Sequence, residues 1–281
     1  MSAPLTAEPY DRIAEGYRRW WAPVLEPTAL RVLDLIAETG PPGAAHLLDV
    51  GTGTGTLALA ATRRWRQARV TGIDASSGMV TIAGRAADEE LSVDDRSRVG
   101  FEVAYADKLP FADGSFDAAV SSFVLQLVPN RARALREIRR ILRPGGTVAW
   151  VTWQAGRSGQ FAPDDAFDDA LDALGIGARD EPDNRSGDIP SPSTAIGQLR
   201  SSGFAGARAW SETLEYRFDA ESYFAFMTEF DEQDLVESME PAEQERFLAD
   251  FRRRLGRLRP VDFVFEAPVV FAVATSSLRP R

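Results

Sequence analysis

The chain has 281 residues, 44% of them hydrophobic, with 32 basic and 42 acidic side chains and a formal net charge of −10. It is long enough to bury a large α/β core, and its acidic balance argues against extended contact with a phosphate backbone, so no nucleic-acid partner is expected. The lack of cysteine excludes disulfides, zinc-thiolate sites and a cysteine nucleophile, and no apolar run resembles a signal peptide or membrane span, which predicts a cytoplasmic protein without membrane contact.

Helical spacing comes first. Ile13, Tyr17 and Trp20, then Leu30, Val32, Leu33 and Leu35, predict two helices over Tyr10–Trp21 and Thr28–Glu38, separated by Pro23 and Pro27. From His46 the pattern alternates. Strands are expected at His46–Gly51, Arg69–Asp74, Val99–Ala106, Phe116–Phe123 and Thr147–Trp153, with helices from Gly55, from Ser77 and over Arg131–Leu142. Strands separated by helices of this length imply βαβ units and a mostly parallel sheet.

After Trp153 the rhythm changes. Residues 155–192 are rich in Asp, Gly, Pro and Ser around a short amphipathic piece at Phe167, Leu171 and Leu174, and read as an insertion covering the sheet. A helix opened by Ser193, a strand over Ala207–Phe218, helices near Glu221–Glu229 and Pro241–Leu255, and a last strand inside Val261–Ala274 complete the chain. The expected organisation is N-terminal helical cap elements at 1–40, a ligand-binding core at 41–154, the insertion at 155–192, and remaining strands at 193–281 with a helical lid at 219–258.

The run Leu47-Leu48-Asp49-Val50-Gly51-Thr52-Gly53-Thr54-Gly55-Thr56 joins an apolar strand to a glycine-rich turn with a carboxylate at the junction. Glycines let the backbone turn sharply and approach a ligand closely. A dinucleotide would bring its pyrophosphate here, where Asp49 would repel it, and the G-x-G-x-x-G fingerprint fails because Thr56 stands where the third glycine belongs. A ligand with a cationic group, an adenine and a ribose but no pyrophosphate satisfies both facts, and S-adenosylmethionine is the common example. Downstream, Asp74 ends the strand Val70-Thr71-Gly72-Ile73-Asp74, where a carboxylate can hold both ribose hydroxyls. Met79 can pack against an adenine face, or equally in a helix core. In Ala104-Tyr105-Ala106-Asp107, Asp107 can accept from an adenine amino group or sit in a solvated turn.

These segments together resemble the class I S-adenosylmethionine-dependent methyltransferases, and within them the type that acts in ubiquinone and menaquinone biosynthesis, over about residues 46–153. The resemblance implies a Rossmann-like α/β fold: a seven-stranded, mostly parallel sheet with its last strand antiparallel and helices on both faces. It implies that Asp49 contacts the methionine end, that Gly51, Thr52 and Gly53 line the cofactor, that Asp74 binds ribose, that Ala75, Met79, Ala106 and Asp107 meet adenine, and that the backbone at Ser122 borders the site. The segment Tyr10-Asp11-Arg12-Ile13-Ala14-Glu15-Gly16-Tyr17 is similar to the family's leading helix, which carries Tyr17 to the cofactor and acceptor.

Methyl transfer from a sulfonium disperses charge, so an apolar pocket that orients the acceptor supplies much of the acceleration. No catalytic residue is singled out. His46, the only histidine, starts the first strand, away from the ligand edge, and reads as structural. No metal-ligand spacing occurs. Tyr223, Phe224, Phe226, Met227 and Phe230 exceed one helical face, so Tyr223 and Phe226 are substrate candidates beside the plainer reading as core. The expected acceptor is a small to mid-sized, largely apolar metabolite, an aromatic or polyketide-like compound foremost, as in natural-product tailoring, and a homodimer is compatible with the sequence. A protein that uses the same cofactor for a non-methylating rearrangement or cyclisation is the first alternative. A nicotinamide-dependent oxidoreductase is the second, opposed by Asp49 and Thr56.

Overall fold

Leu47, Leu48, Val50, Ala118, Ala119, Val120 and Val148–Val151 are almost completely buried, the continuous apolar pattern of strands covered on both faces. In the computed structural model, which describes residues 8–39, 46–156, 160–175 and 187–277, such segments form one seven-stranded sheet. Its strands are β1 (His46–Val50), β2 (Arg69–Asp74), β3 (Val99–Val103), β4 (Phe116–Ser122), β5 (Leu142–Trp153), β6 (Phe204–Arg217) and β7 (Val264–Ser276), in the order β3-β2-β1-β4-β5-β7-β6. β1 lies parallel to β2 and β4, with Asp49 opposite Gly72 on one side and Val120 on the other. β2 and β3, and β4 and β5, are also parallel. β7 runs antiparallel to β5, as expected for the last strand. The winding reverses between β1 and β4, and their carboxyl ends therefore border the crevice where open α/β sheets bind ligands.

The helices are α1 (Glu8–Gly16), α2 (Ala22–Thr39), α3 (Thr56–Arg64), α4 (Ser77–Glu90), α5 (Val93–Arg96), α6 (Arg131–Ile141), α7 (Ala162–Asp172), α8 (Pro192–Ser201), α9 (Ala220–Phe226), α10 (Gln233–Glu237) and α11 (Pro241–Leu255). One correction concerns the N-terminus, where the prolines predict a break and the chain instead stays helical from α1 through a π-helical turn, Tyr17–Trp21, into α2. The wide turn, closed by the Ala22 N–H on the Tyr17 carbonyl, directly precedes Pro23, where a tighter helix would meet the proline ring. Burial of Val24, Leu25, Ala29, Val32, Leu33, Leu35 and Ile36 outweighs the bond that Pro27 cannot donate.

Several ends also differ. β3 stops at Val103 and the chain turns through a Tyr105–Lys108 bridge, while β5 begins five residues early, at Leu142. β6 starts at Phe204, β7 extends to Ser276, and α8 is capped by Ser191, whose side chain accepts from the Thr194 N–H. The predicted helix near 221–229 is α9 followed by a second π turn, Met227–Asp231.

Two compact units divide the chain: Met1–Gly156 with Asn184–Glu212 and Pro268–Arg281, and Arg157–Asp183 with Thr213–Ala267. Within the first, the N-terminal helices pack with the expected ligand-binding core. The second combines the larger part of the expected insertion with the whole expected lid; residues 157–159 and 176–186 of that insertion, 1–7 and 40 of the N-terminal elements, and 41–45 of the core lie outside the described residues. The second unit is built on aromatic rings. Phe167 meets Phe247 and Phe251 edge-on at 5.3 and 5.1 Å, and Phe161 meets Tyr223 edge-on at 5.4 Å.

Candidate active site

β1 delivers Asp49 to its carboxyl end, where the side chain is 1% exposed. Its Oδ2 accepts from the Thr52 hydroxyl at 2.7 Å, and its Oδ1 has no hydrogen-bond partner. Burial pushes the Asp49 carboxyl up to about 7; the Thr52 hydroxyl opposes that, the Asp74 charge adds to it, and the Ala58 N–H weakly opposes it. A buried carboxylate oxygen without a donor is costly alone and well suited to a cationic group.

The turn after β1 is shaped by glycine. Gly51, Gly53 and Gly55 have φ of +72°, +54° and +96°, a region that disfavours residues with a Cβ. At Gly51 a Cβ would also lie 2.2 Å from a methyl of Val124, so this glycine lets the chain leaving β4 close against the turn. Thr52 donates its N–H to the Ile73 carbonyl at 2.7 Å, fastening the turn to β2.

Asp74 ends β2 and faces the same turn. Its Oδ2 accepts from the Gly53 N–H at 2.9 Å and its Oδ1 from the Ser76 N–H at 3.0 Å. Burial raises its pKa, against the N–H groups of Ser76, Gly53 and Ala75. Each oxygen retains lone-pair capacity, so two vicinal hydroxyls could still be accepted.

Tyr17 reaches this turn from the N-terminal helices: a Cβ on Gly53 would stand 3.9 Å from the Tyr17 ring. Burial, with the Tyr10 and Asp74 charges, raises the Tyr17 hydroxyl's pKa, so it stays protonated. The helix is seated by Asp11, whose Oδ1 accepts from the Ser76 hydroxyl and the Gly78 N–H, both at 2.7 Å. Met79 is buried with Ala14 and Ile82, against Tyr10 and Tyr17, so its thioether packs the α1–α4 contact.

The remaining candidates follow β3 or end β4. Ala106 packs on the sheet core and Asp107 stands 3.9 Å from the Arg133 guanidinium; Ser122 ends β4, partly buried. Sequence reasoning passed over Phe123, which follows Ser122 with φ of +53°, the one non-glycine residue with positive φ among the described residues. It also passed over Arg131, whose guanidinium is buried and donates to the Leu125 carbonyl at 2.8 Å and to the Gly187 carbonyl, holding the loop after β4. Neither carries a sequence signal, because backbone handedness of a phenylalanine and burial of an arginine arise from packing.

His46 stands at the amino end of β1, its ring nitrogens 3.2 Å from the Ser115 carbonyl and 3.2 Å from the Thr71 hydroxyl, and its pKa is lowered chiefly by burial. Tyr223 and Phe226 belong to the second unit, 1% and 6% exposed in its aromatic core, and the Tyr223 hydroxyl donates to Asp164. Among the described residues no cluster of His, Cys, Asp and Glu could hold a metal, and no helix is long and apolar enough to cross a membrane.

Residues 48–150 match the family described as a methyltransferase domain. The chain is 36% identical over 112 residues to the ubiquinone/menaquinone biosynthesis C-methyltransferase UbiE of Desulfotalea psychrophila, covering 40% of this chain and 43% of that protein. It is 39% identical over 152 residues to the demethylmenaquinone methyltransferase of Thermotoga maritima, covering 50% and 57%. The chain thus spans about half the length of the curated relatives it matches. Among solved structures, the Bacillus subtilis YcgJ protein superposes with a TM-score of 0.56 at 20% identity over 88% of this chain and 97% of that one. The [4+2]-cyclase SpnF superposes with a TM-score of 0.52 at 23% identity, over 88% and 80%. At these identities the likeness is one of fold.

Proposed function

We propose that this protein transfers a methyl group from S-adenosylmethionine to a small, largely apolar metabolite, a reading supported by the match of residues 48–150 to a methyltransferase domain. The observation that carries this reading is Asp49: a carboxylate 1% exposed, with one oxygen unpartnered, under a glycine turn shared with Asp74. Those features suit a ligand that is cationic at one end and carries vicinal hydroxyls at the other. Asp49 would hold the methionine end, Gly51, Thr52 and Gly53 would line the backbone approach, and Asp74 would take the ribose. Ala75, Met79, Ala106 and Asp107 are assigned to the adenine, Met79 from within the α1–α4 contact.

When bound, S-adenosylmethionine would supply an electrophilic methyl group to the acceptor and leave as the neutral thioether S-adenosylhomocysteine. This chain's own task is to align the acceptor with that methyl group and keep water out. Tyr17 and Ser122 border the reacting end in this reading, with Tyr17 as a neutral hydroxyl.

Incubation with methyl-labelled cofactor and a panel of apolar phenols, quinols and amines tests the proposal. S-adenosylhomocysteine should appear in step with labelled acceptor. Tight cofactor binding with conversion of an acceptor but no S-adenosylhomocysteine would replace methyl transfer with a rearrangement or cyclisation. Preference for a nicotinamide dinucleotide would overturn the cofactor assignment.

A further inference from the structure

β3 is one edge of the sheet and pairs with β2 alone. The Val70 N–H donates to the Arg98 carbonyl and the Ala104 N–H to the Asp74 carbonyl, both at 2.9 Å. Backbone groups alternate sides along a strand, so Gly100 and Glu102, which lie between those two, also bond to β2, while Val99, Phe101 and Val103 turn their N–H and C=O groups outward. The Val99 carbonyl accepts from the Arg96 guanidinium at 3.0 Å and keeps a second lone pair. The outward groups of Phe101 and Val103 have no hydrogen-bond partner among the described residues. Open edges are usually blunted by Pro, Lys or a bulge. β3 has none of these: its register with β2 is unbroken, its one charge is Glu102, and Val103 is 50% exposed.

We propose that this edge is the interface through which two copies of the chain associate, β3 against β3, antiparallel about Phe101. The run Val99-Gly100-Phe101-Glu102-Val103 is self-complementary when turned end for end on its central residue. Val99 then faces the partner's Val103, Phe101 faces the partner's Phe101, and Gly100 faces the partner's Glu102. That centre matches outward-turned residues only with outward-turned residues, as an antiparallel ladder requires, so each outward N–H meets an outward carbonyl. One face of the ladder is apolar. On the other, no charge opposes a like charge, and Glu102 enters the space beside a glycine at which a Cβ would meet nothing within 4 Å. Association of this kind is independent of which cofactor or acceptor the chain binds.

Analytical ultracentrifugation of the full chain, without ligand, tests the pairing. The parent protein should sediment as a dimer at about 100 µM and dissociate on dilution. Gly100 is exposed with room for a side chain, so substitution there changes the charge opposite Glu102 and little else. Two-fold symmetry makes that pair occur twice. Gly100→Lys should therefore associate at least tenfold more tightly than Gly100→Glu, and the difference should shrink in about 1 M salt. Val103→Pro removes an outward N–H that β2 does not use, and should sediment as a monomer. Circular dichroism spectra that match the parent's show that the variants fold, and the two Gly100 variants decide the question by themselves if Val103→Pro does not. A monomeric parent, equal association of Gly100→Lys and Gly100→Glu, or a dimer retained in folded Val103→Pro would overturn the interface.

Discussion

The Oδ1 of Asp11 accepts the Gly78 N–H at 2.7 Å, and the backbones behind that bond nearly touch: a Cβ on Gly78 would stand 2.8 Å from the Asp11 carbonyl oxygen and 2.9 Å from its Cα. This contact fixes where Tyr17 lies, because α1 leads directly into the π turn that Tyr17 opens. Gly78→Ala places a methyl against backbone that cannot rotate away, so α1 must move. Amide exchange over residues 8–21 should accelerate at least tenfold, and cofactor affinity should fall as Tyr17 leaves Gly53. Asp11→Ala, which removes the acceptor without adding bulk, should cost about 1–2 kcal/mol in chemical denaturation.

Asp49 predicts opposite pH trends for folding and binding. Its native pKa of about 7 lies above the ordinary 3.8, so the native state holds the proton more tightly and the ligand-free protein loses stability as pH rises from about 4 to about 7. The loss is on the order of 3 kcal/mol. A cationic ligand favours the ionised form, so affinity for S-adenosylmethionine should rise up to tenfold per pH unit below about 7 and level off above it. Asp49→Asn should flatten both curves, measured by urea denaturation and calorimetry between pH 5 and 9.

Asp74 accepts two backbone N–H groups, from Gly53 and Ser76. Asp74→Ala leaves both donors without that acceptor and removes the proposed ribose contact, at about 1–3 kcal/mol for each such loss. S-adenosylhomocysteine should bind 30-fold or more weakly by calorimetry. Adenine alone, which lacks the ribose, should lose much less.

Tyr223 reports on the packing of the second unit. It is 1% exposed and its hydroxyl donates to Asp164. Tyr223→Phe keeps the ring and should lower stability by about 1 kcal/mol, whereas Tyr223→Ala should cost about 3–5 kcal/mol.

Legibility in the sequence followed the range of the interactions. The β1 turn could be read because three requirements fall within ten consecutive residues: an apolar strand, glycines where φ is positive, and a carboxylate at the junction. The N-terminal helices were read correctly as helices and incorrectly as two, since the prolines are local signals and the apolar face that overrides them is not. Met79 offered an adenine face and a packing residue as alternatives; its burial with Ala14 and Ile82 under α1 depends on a helix more than sixty residues earlier.

By itself the sequence determined the alternating strand–helix order, the glycine turn beside Asp49, and Asp74 at the end of the next strand, because each depends on backbone geometry and side-chain spacing within a few residues. Tertiary structure alone decided that one oxygen of Asp49 is left without a partner, that Asp11 seats α1 on Gly78, that Phe123 is left-handed against Trp153, and that Tyr223 meets Asp164. Each of these joins residues distant in the chain, and burial, desolvation and close packing exist only once the elements have come together.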